Sequence, residues 1–164
     1  MEQLFIKTQE QKTPKTCAFT GHRKLEKDFS LRVLKKEIKA LIERGVEVFY
    51  NGMAMGFDLS AAEAVISFKR KFPQVKLIAC IPCPAQDKYY SDKDKKRYAK
   101  LCNQADEMLV LSKEYTPYCM LSRDRYMADR ADVLLTYCKK DTGGTAYTVQ
   151  YFKKKHPESE IIYI

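Results

Sequence analysis

The stretch Met120-Leu-Ser-Arg-Asp-Arg-Tyr-Met-Ala-Asp-Arg-Ala-Asp132, the apolar run Val133-Leu-Leu-Thr-Tyr137 and the turn Asp141-Thr-Gly-Gly-Thr145 decide how this chain folds. Met120, Arg123 and Met127 are spaced by three and four, so they share one face of a helix. That places Arg123 toward the buried side, where an unpaired charge is costly and calls for a carboxylate or a ligand anion. Asp124, Arg125 and Arg130 read as solvated residues of the outer face. The apolar run is a strand. The glycine turn then opens a further helix, whose free N–H groups and dipole form a ready anion site.

The same strand–turn–helix unit recurs on the N-terminal side. Thr16-Cys-Ala-Phe-Thr20 is a short uncharged strand broken by Gly21-His22-Arg23. Leu31, Leu34, Ile38 and Leu41 mark one face of a helix over 29–44, stopped at Gly45. Strand 46–50 leads through Asn51-Gly-Met-Ala-Met-Gly56 into a helix over 58–71. Strand 75–81 is apolar enough to be covered on both faces. A loop over 82–92, a basic helix over 93–104, strand 107–111 and a helix over 117–130 follow. The last helix runs to 155, and strand 161–164 closes the chain. Strands alternating with helices predict a single α/β, Rossmann-like domain over 15–164, a mostly parallel sheet with helices on both faces. Residues 1–14 read as a flexible polar arm. Right-handed crossovers bring all three glycine turns to one sheet edge, where ligands of such folds bind.

The chain has 164 residues and a formal charge of +9, which directs attention to an anionic partner. The lysines are scattered over several helices rather than gathered in a stripe, so a nucleotide-sized ligand is favoured over nucleic acid. No apolar run reaches the length of a membrane span and no leader pattern opens the chain, so a cytoplasmic location is expected. A homo-oligomer is compatible with these features. Among the six cysteines only Cys80-Ile-Pro-Cys83 has a suggestive spacing. It lacks the second ligand pair of a zinc site and the following helix of a thiol redox motif, so neither a metal nor a cofactor is expected.

The ligand-binding candidates are Gly21, His22, Arg23, Asn51, Gly52, Gly56, Asp58, Arg123, Gly143, Gly144 and Thr145. The spaced glycine triplet of dinucleotide enzymes and the Gly-Lys-Ser/Thr of P-loop proteins are both absent. His22 either contacts a phosphate or ribose or caps its own turn. Asp58 either complements the helix dipole or accepts a ribose hydroxyl. Glu63 shares that role only if it faces the cleft, and these two carboxylates are the candidates for any catalysis. His156, at a helix end before Pro157, reads as a surface residue.

Phe19-Thr-Gly-His-Arg23 and Asn51-Gly-Met-Ala-Met-Gly-Phe-Asp58, continuing through Ala61-Ala-Glu63, resemble the opening turn and the Gly-x-Ala-x-Gly-x-Asp signature of the YpsA-like family. That family belongs to the SLOG superfamily, which joins the Smf/DprA proteins and the lonely-guy enzymes. The resemblance implies a ligand of the adenine-nucleotide, ADP-ribose or NAD-derived kind, bound or sensed at the strand edge. Met120, Arg123, Met127, Ala131 and Asp132 are also similar to the arginine helix with which lonely-guy enzymes cleave nucleoside monophosphates. Their catalytic glutamate aligns with Thr148, and the leading Pro-Gly-Gly is missing. Threonine is no general acid or base near neutral pH, so binding without efficient cleavage is expected. An N-glycosidic hydrolase using Asp58 or Glu63 is the alternative, and DprA-like binding of single-stranded DNA a further one, with Tyr89, Tyr90 and Tyr115 as its stacking candidates.

Overall fold

A computed structural model describes residues 14–164. The arm expected over 1–14 lies outside the described residues except for Pro14. Strands β1 (Thr16–Gly21), β2 (Val48–Asn51), β3 (Lys76–Ile81), β4 (Glu107–Val110), β5 (Val133–Tyr137) and β6 (Glu160–Tyr163) form one sheet in the order β4-β3-β2-β1-β5-β6. Every pairing is parallel, so the sheet is wholly rather than mostly parallel.

The helices are α1 (Leu31–Glu43), α2 (Phe57–Phe68), α3 (Asp92–Gln104), α4 (Cys119–Arg130) and α5 (Gly144–Lys155). Alternate strand residues feed two cores. Phe19, Phe49, Leu77, Ala79 and Leu135 pack with α1, α2 and α3 on one face. Ala18, Ile78, Cys80 and Leu134 pack with Met127 and Ala128 of α4 and Val149 and Phe152 of α5 on the other. This is the period-two alternation of a strand covered on both sides.

Several boundaries differ from the sequence reading by one to three residues, and two of them show why. The helix expected over 58–71 ends at Phe68, because Lys69 caps it and the next residues turn before Pro73. The strand expected from Val46 starts at Val48. The amide of Val46 is bonded to the Leu41 carbonyl at 3.0 Å and still belongs to the turn that leaves α1.

Strand order and helix caps together locate the site. β1 lies between β2 and β5, and the chain reverses its direction of travel across the sheet there, which opens a crevice outside the strand C-termini. Outside the lining of that crevice, Ser30 and Ser91 cap α1 and α3, accepting from the Val33 and Asp94 amides at 3.2 Å. α2 and α5 instead open on Gly56 and Gly143, at φ +81° and +98°, with no side-chain cap. Among the described residues no side chain caps either N-terminus, but the first amide of α2, that of Phe57, is taken by the His22 carbonyl at 3.1 Å, so only α5 keeps its first amides free.

Candidate functional site

A cleft of about 440 Å³ lies at this edge, and Gly21, His22, Arg23, Asp58, Arg123, Gly143, Gly144 and Thr145 all line it. Lys140 and Asp124 join them. The three glycine turns contribute unequally. A Cβ at Gly21 would lie 2.3 Å from the Phe57 ring, so this glycine lets β1 pack on the start of α2. A Cβ at Gly56 would lie 2.2 Å from the Arg23 carbonyl oxygen, and the Phe57 amide is bonded to His22 O at 3.1 Å. The second turn therefore sits against the first. At Gly143 and Gly144 a Cβ would meet nothing within 4 Å. Only this third turn keeps its open side toward the cleft.

Asn51, Gly52 and Gly56 do not line the cleft. The Asn51 amide donates to the Asp58 carbonyl at 2.8 Å, and its Oδ1 accepts the Met53 amide at 2.8 Å, fixing Met53 at φ +57°. Asn51 is buried and its work is to shape the turn. Gly52 makes room for Arg123, since a Cβ there would lie 2.7 Å from the guanidinium carbon.

Arg123 is buried, as its helical spacing predicts. Its Nη1 donates to the carbonyl of Gly52 and, at 3.4 Å, to that of Cys80. Its Nε donates to Asp124 Oδ1 at 2.7 Å. Among the described residues Nη2 has only the Met120 thioether, at 4.0 Å, and Arg123 lines the cleft. Burial works against the guanidinium charge, but Asp124 and Asp58 together hold its pKa above the usual value. The carboxylate that Arg123 requires is thus the adjacent Asp124. The outer-face reading of Asp124 is corrected, because its carboxyl turns inward onto Arg123.

Asp58 is buried at 5% exposure. Its Oδ2 accepts the Ala54 amide at 3.3 Å, while Oδ1 has no hydrogen-bond partner among the described residues. Burial pushes the carboxyl up to about 7, with Arg123 opposing the shift and Asp124 adding to it. Its proton is exchanged near neutral pH, the range a general acid or base needs. Glu63 does not reach the cleft. It is exposed on the far side of α2 and pairs with Arg97 of α3, so geometry removes it as a partner of Asp58.

His22 takes the turn-capping role. Its Nε2 accepts the Lys139 amide at 2.7 Å and ties the first turn to the third. Burial, then the nearby Lys140 charge, lowers its pKa and keeps the ring neutral. Arg23 and Lys140 are exposed and line the same cleft as the start of α5. Thr148 is buried, and its hydroxyl lies 2.9 Å from the Gly144 carbonyl and 3.3 Å from Asp124 Oδ2.

The sequence reading missed Asp124 and Lys140. An inward arginine followed at once by aspartate was the available signal for the first. Cys83 lies 4.0 Å from Cys119 between sulfurs, and burial pushes the Cys80 thiol up to about 12. His156 is half-buried, its Nε2 lying 2.9 Å from the Ala128 carbonyl.

A family model, YpsA, described as the YspA SLOG family, matches residues 17–164. The chain belongs to this SLOG family. Its relatives include the "Uncharacterized SPbeta prophage-derived protein YoqJ" of Bacillus subtilis, 29% identical over 140 residues, covering 75% of this chain and 82% of that one. The "UPF0398 protein YpsA" of the same species is 26% identical over 157 residues, covering 88% and 87%. Among solved structures, DNA processing protein A (DprA) from Streptococcus pneumoniae superimposes with a TM-score of 0.67 at 19% identity, over 91% of this chain and 50% of that one. DprA from Helicobacter pylori gives 0.65 at 19%, over 92% and 65%. The chain thus spans between half and two thirds of the DprA chains, and the likeness is one of fold. Among the described residues no helix is long and apolar enough to cross a membrane.

Proposed function

We propose that this SLOG-family chain binds or senses a phosphorylated nucleoside, of the adenine-nucleotide, ADP-ribose or NAD-derived class, in the cleft at the strand C-terminal edge. The observation that carries this reading is the polarity of the cleft. Gly143 and Gly144 open α5 with free space before them, Arg23 and Lys140 line the same cleft, and so does Asp58, whose buried Oδ1 has no hydrogen-bond partner among the described residues. Uncapped amides and cations suit a phosphate. The buried carboxyl suits a hydrogen-bond donor on the sugar. Mass spectrometry of small molecules released from the purified protein tests the proposal, with calorimetric titration of ADP-ribose and AMP as its complement. A protein that releases no phosphorylated nucleoside and gives no heat with either would remove it.

The hydrolase reading has one observation in its favour, the Asp58 carboxyl near pH 7 in the cleft. Against it, Thr148 stands where the lonely-guy alignment requires glutamate, and its hydroxyl lies within hydrogen-bonding distance of the helix backbone. Base release from AMP, followed by chromatography for the wild type, Asp58→Asn and Thr148→Glu, separates the two. Rapid wild-type turnover lost in Asp58→Asn would promote the enzyme. The Helicobacter pylori DprA has a single-stranded DNA binding mode of its own. Tyr89 and Tyr115 are exposed in the present chain, but neither lines the cleft, so the nucleotide-sized ligand remains the preferred reading.

A further inference from the structure

We propose that Asp58 and Asp124 act as a pair that reads a vicinal diol, so that the cleft selects a ribonucleotide over its 2′-deoxy form. This rests on the phosphorylated-nucleoside reading above and adds Asp124 as a specificity-determining residue. Asp58 stands at the start of α2 and Asp124 on α4, on opposite faces of the sheet, and both line the one cleft. Asp58 Oδ1 has no partner among the described residues. Asp124 Oδ1 takes the Arg123 Nε proton at 2.7 Å. Its Oδ2 lies 3.3 Å from the Thr148 hydroxyl, but that group has a single proton and a nearer acceptor in the Gly144 carbonyl at 2.9 Å. Each carboxyl therefore retains an oxygen able to accept.

The chemistry of what these oxygens accept is constrained by their neighbours. A phosphate is repelled by the two carboxyls and drawn to Arg23, Lys140 and the α5 amides. An ammonium or a metal ion meets the buried Arg123 guanidinium, whose charge acts on Asp58 and is bonded to Asp124. Neutral hydroxyls remain. Two adjacent hydroxyls supply a donor to each of the two carboxyls that line the cleft, and the Asp58 carboxyl, pushed up to about 7 by burial, can donate as well as accept.

The test is calorimetric titration of the full chain with AMP, 2′-deoxy-AMP and inorganic phosphate. AMP is expected to bind at least about tenfold more tightly than 2′-deoxy-AMP, the effect of one hydrogen bond to a charged group. Asp124→Ala should shrink that ratio toward one, and Asp58→Ala gives the same readout should the first variant not fold. A role of Asp124 confined to supporting Arg123 would weaken both nucleotides equally, leave the ratio unchanged and overturn the proposal. Equal wild-type affinity for the two nucleotides would also overturn it while leaving the phosphorylated-nucleoside site standing. Absence of binding by all three probes would take down the site and this inference together.

Discussion

A methyl group at Gly52 would land 2.7 Å from the Arg123 guanidinium, whereas one at Gly144 would meet no atom within 4 Å. The two glycines therefore answer the same substitution in opposite ways. Gly52→Ala should destabilise the fold by about 1–3 kcal/mol through overpacking. Gly144→Ala should leave the melting temperature within about 1–2 °C of the wild type, a stability change of about 0.5 kcal/mol, yet weaken phosphate binding by projecting into the cleft. Thermal melts with and without inorganic phosphate check both. Asp58 supplies the pH dependence at this scale. Its folded-state pKa of about 7 lies above the ordinary 3.8, so the fold holds a proton that the unfolded chain has released. Stability from this group is complete below pH 3.8 and declines as pH rises through about 7. Asp58→Asn, which keeps an acceptor for the Ala54 amide, should raise the melting temperature at pH 8 by at least about 2–4 °C, the equivalent of about 1 kcal/mol. The gain should shrink as pH falls toward 4. A gain independent of pH would show that desolvation of this carboxylate is not its source.

At the scale of elements, His22 fastens the turn after β1 to the turn after β5 through the Lys139 amide. Its pKa is lowered by burial, so this contribution is present above the ordinary 6.5 and is lost as pH falls through the lower folded value. Hydrogen-exchange protection of the Lys139 amide should therefore hold at pH 6.5 and fall as the pH is lowered further, after correction for intrinsic rates. In His22→Ala it should be low throughout. The elements themselves were legible because strand and helix periods alternate cleanly and Gly45 stops the first helix. Arg123 was legible as inward because Met120 and Met127 flank it at helical spacing. Asp124 was not, because periodicity assigns a face to a backbone position and cannot show a carboxyl curling back onto the side chain before it. Nor could sequence separate the glycines that admit Phe57 or Arg123 from those that face the cleft. Both kinds are written with the same letter, and only the neighbouring atoms distinguish them.

At the scale of the molecule, the site is assembled from both ends of the chain. β1 and β5 pair side by side, and the Asp132 amide that starts this seam is bonded to the Thr16 hydroxyl 116 positions away, at 2.9 Å. The lining of the cleft is divided the same way, with Gly21 and Asp58 from the first half and Arg123 and Gly143 from the second. Cutting the chain between α3 and α4 should leave neither half able to bind AMP alone, while mixing the halves restores binding to whatever extent they reassociate. Binding by the isolated 14–106 fragment would contradict a divided site. The wholly parallel sheet has a temporal consequence as well. No strand can pair with a sequence neighbour through a tight hairpin, and the β1–β5 seam must close the longest loop of all, which makes such topologies slow to fold. On an emerging chain, β1 waits beside the ribosome for a partner that is synthesised more than a hundred residues later. Ligand capture should therefore be the last event in the birth of the molecule, appearing with the slowest refolding phase and never before it.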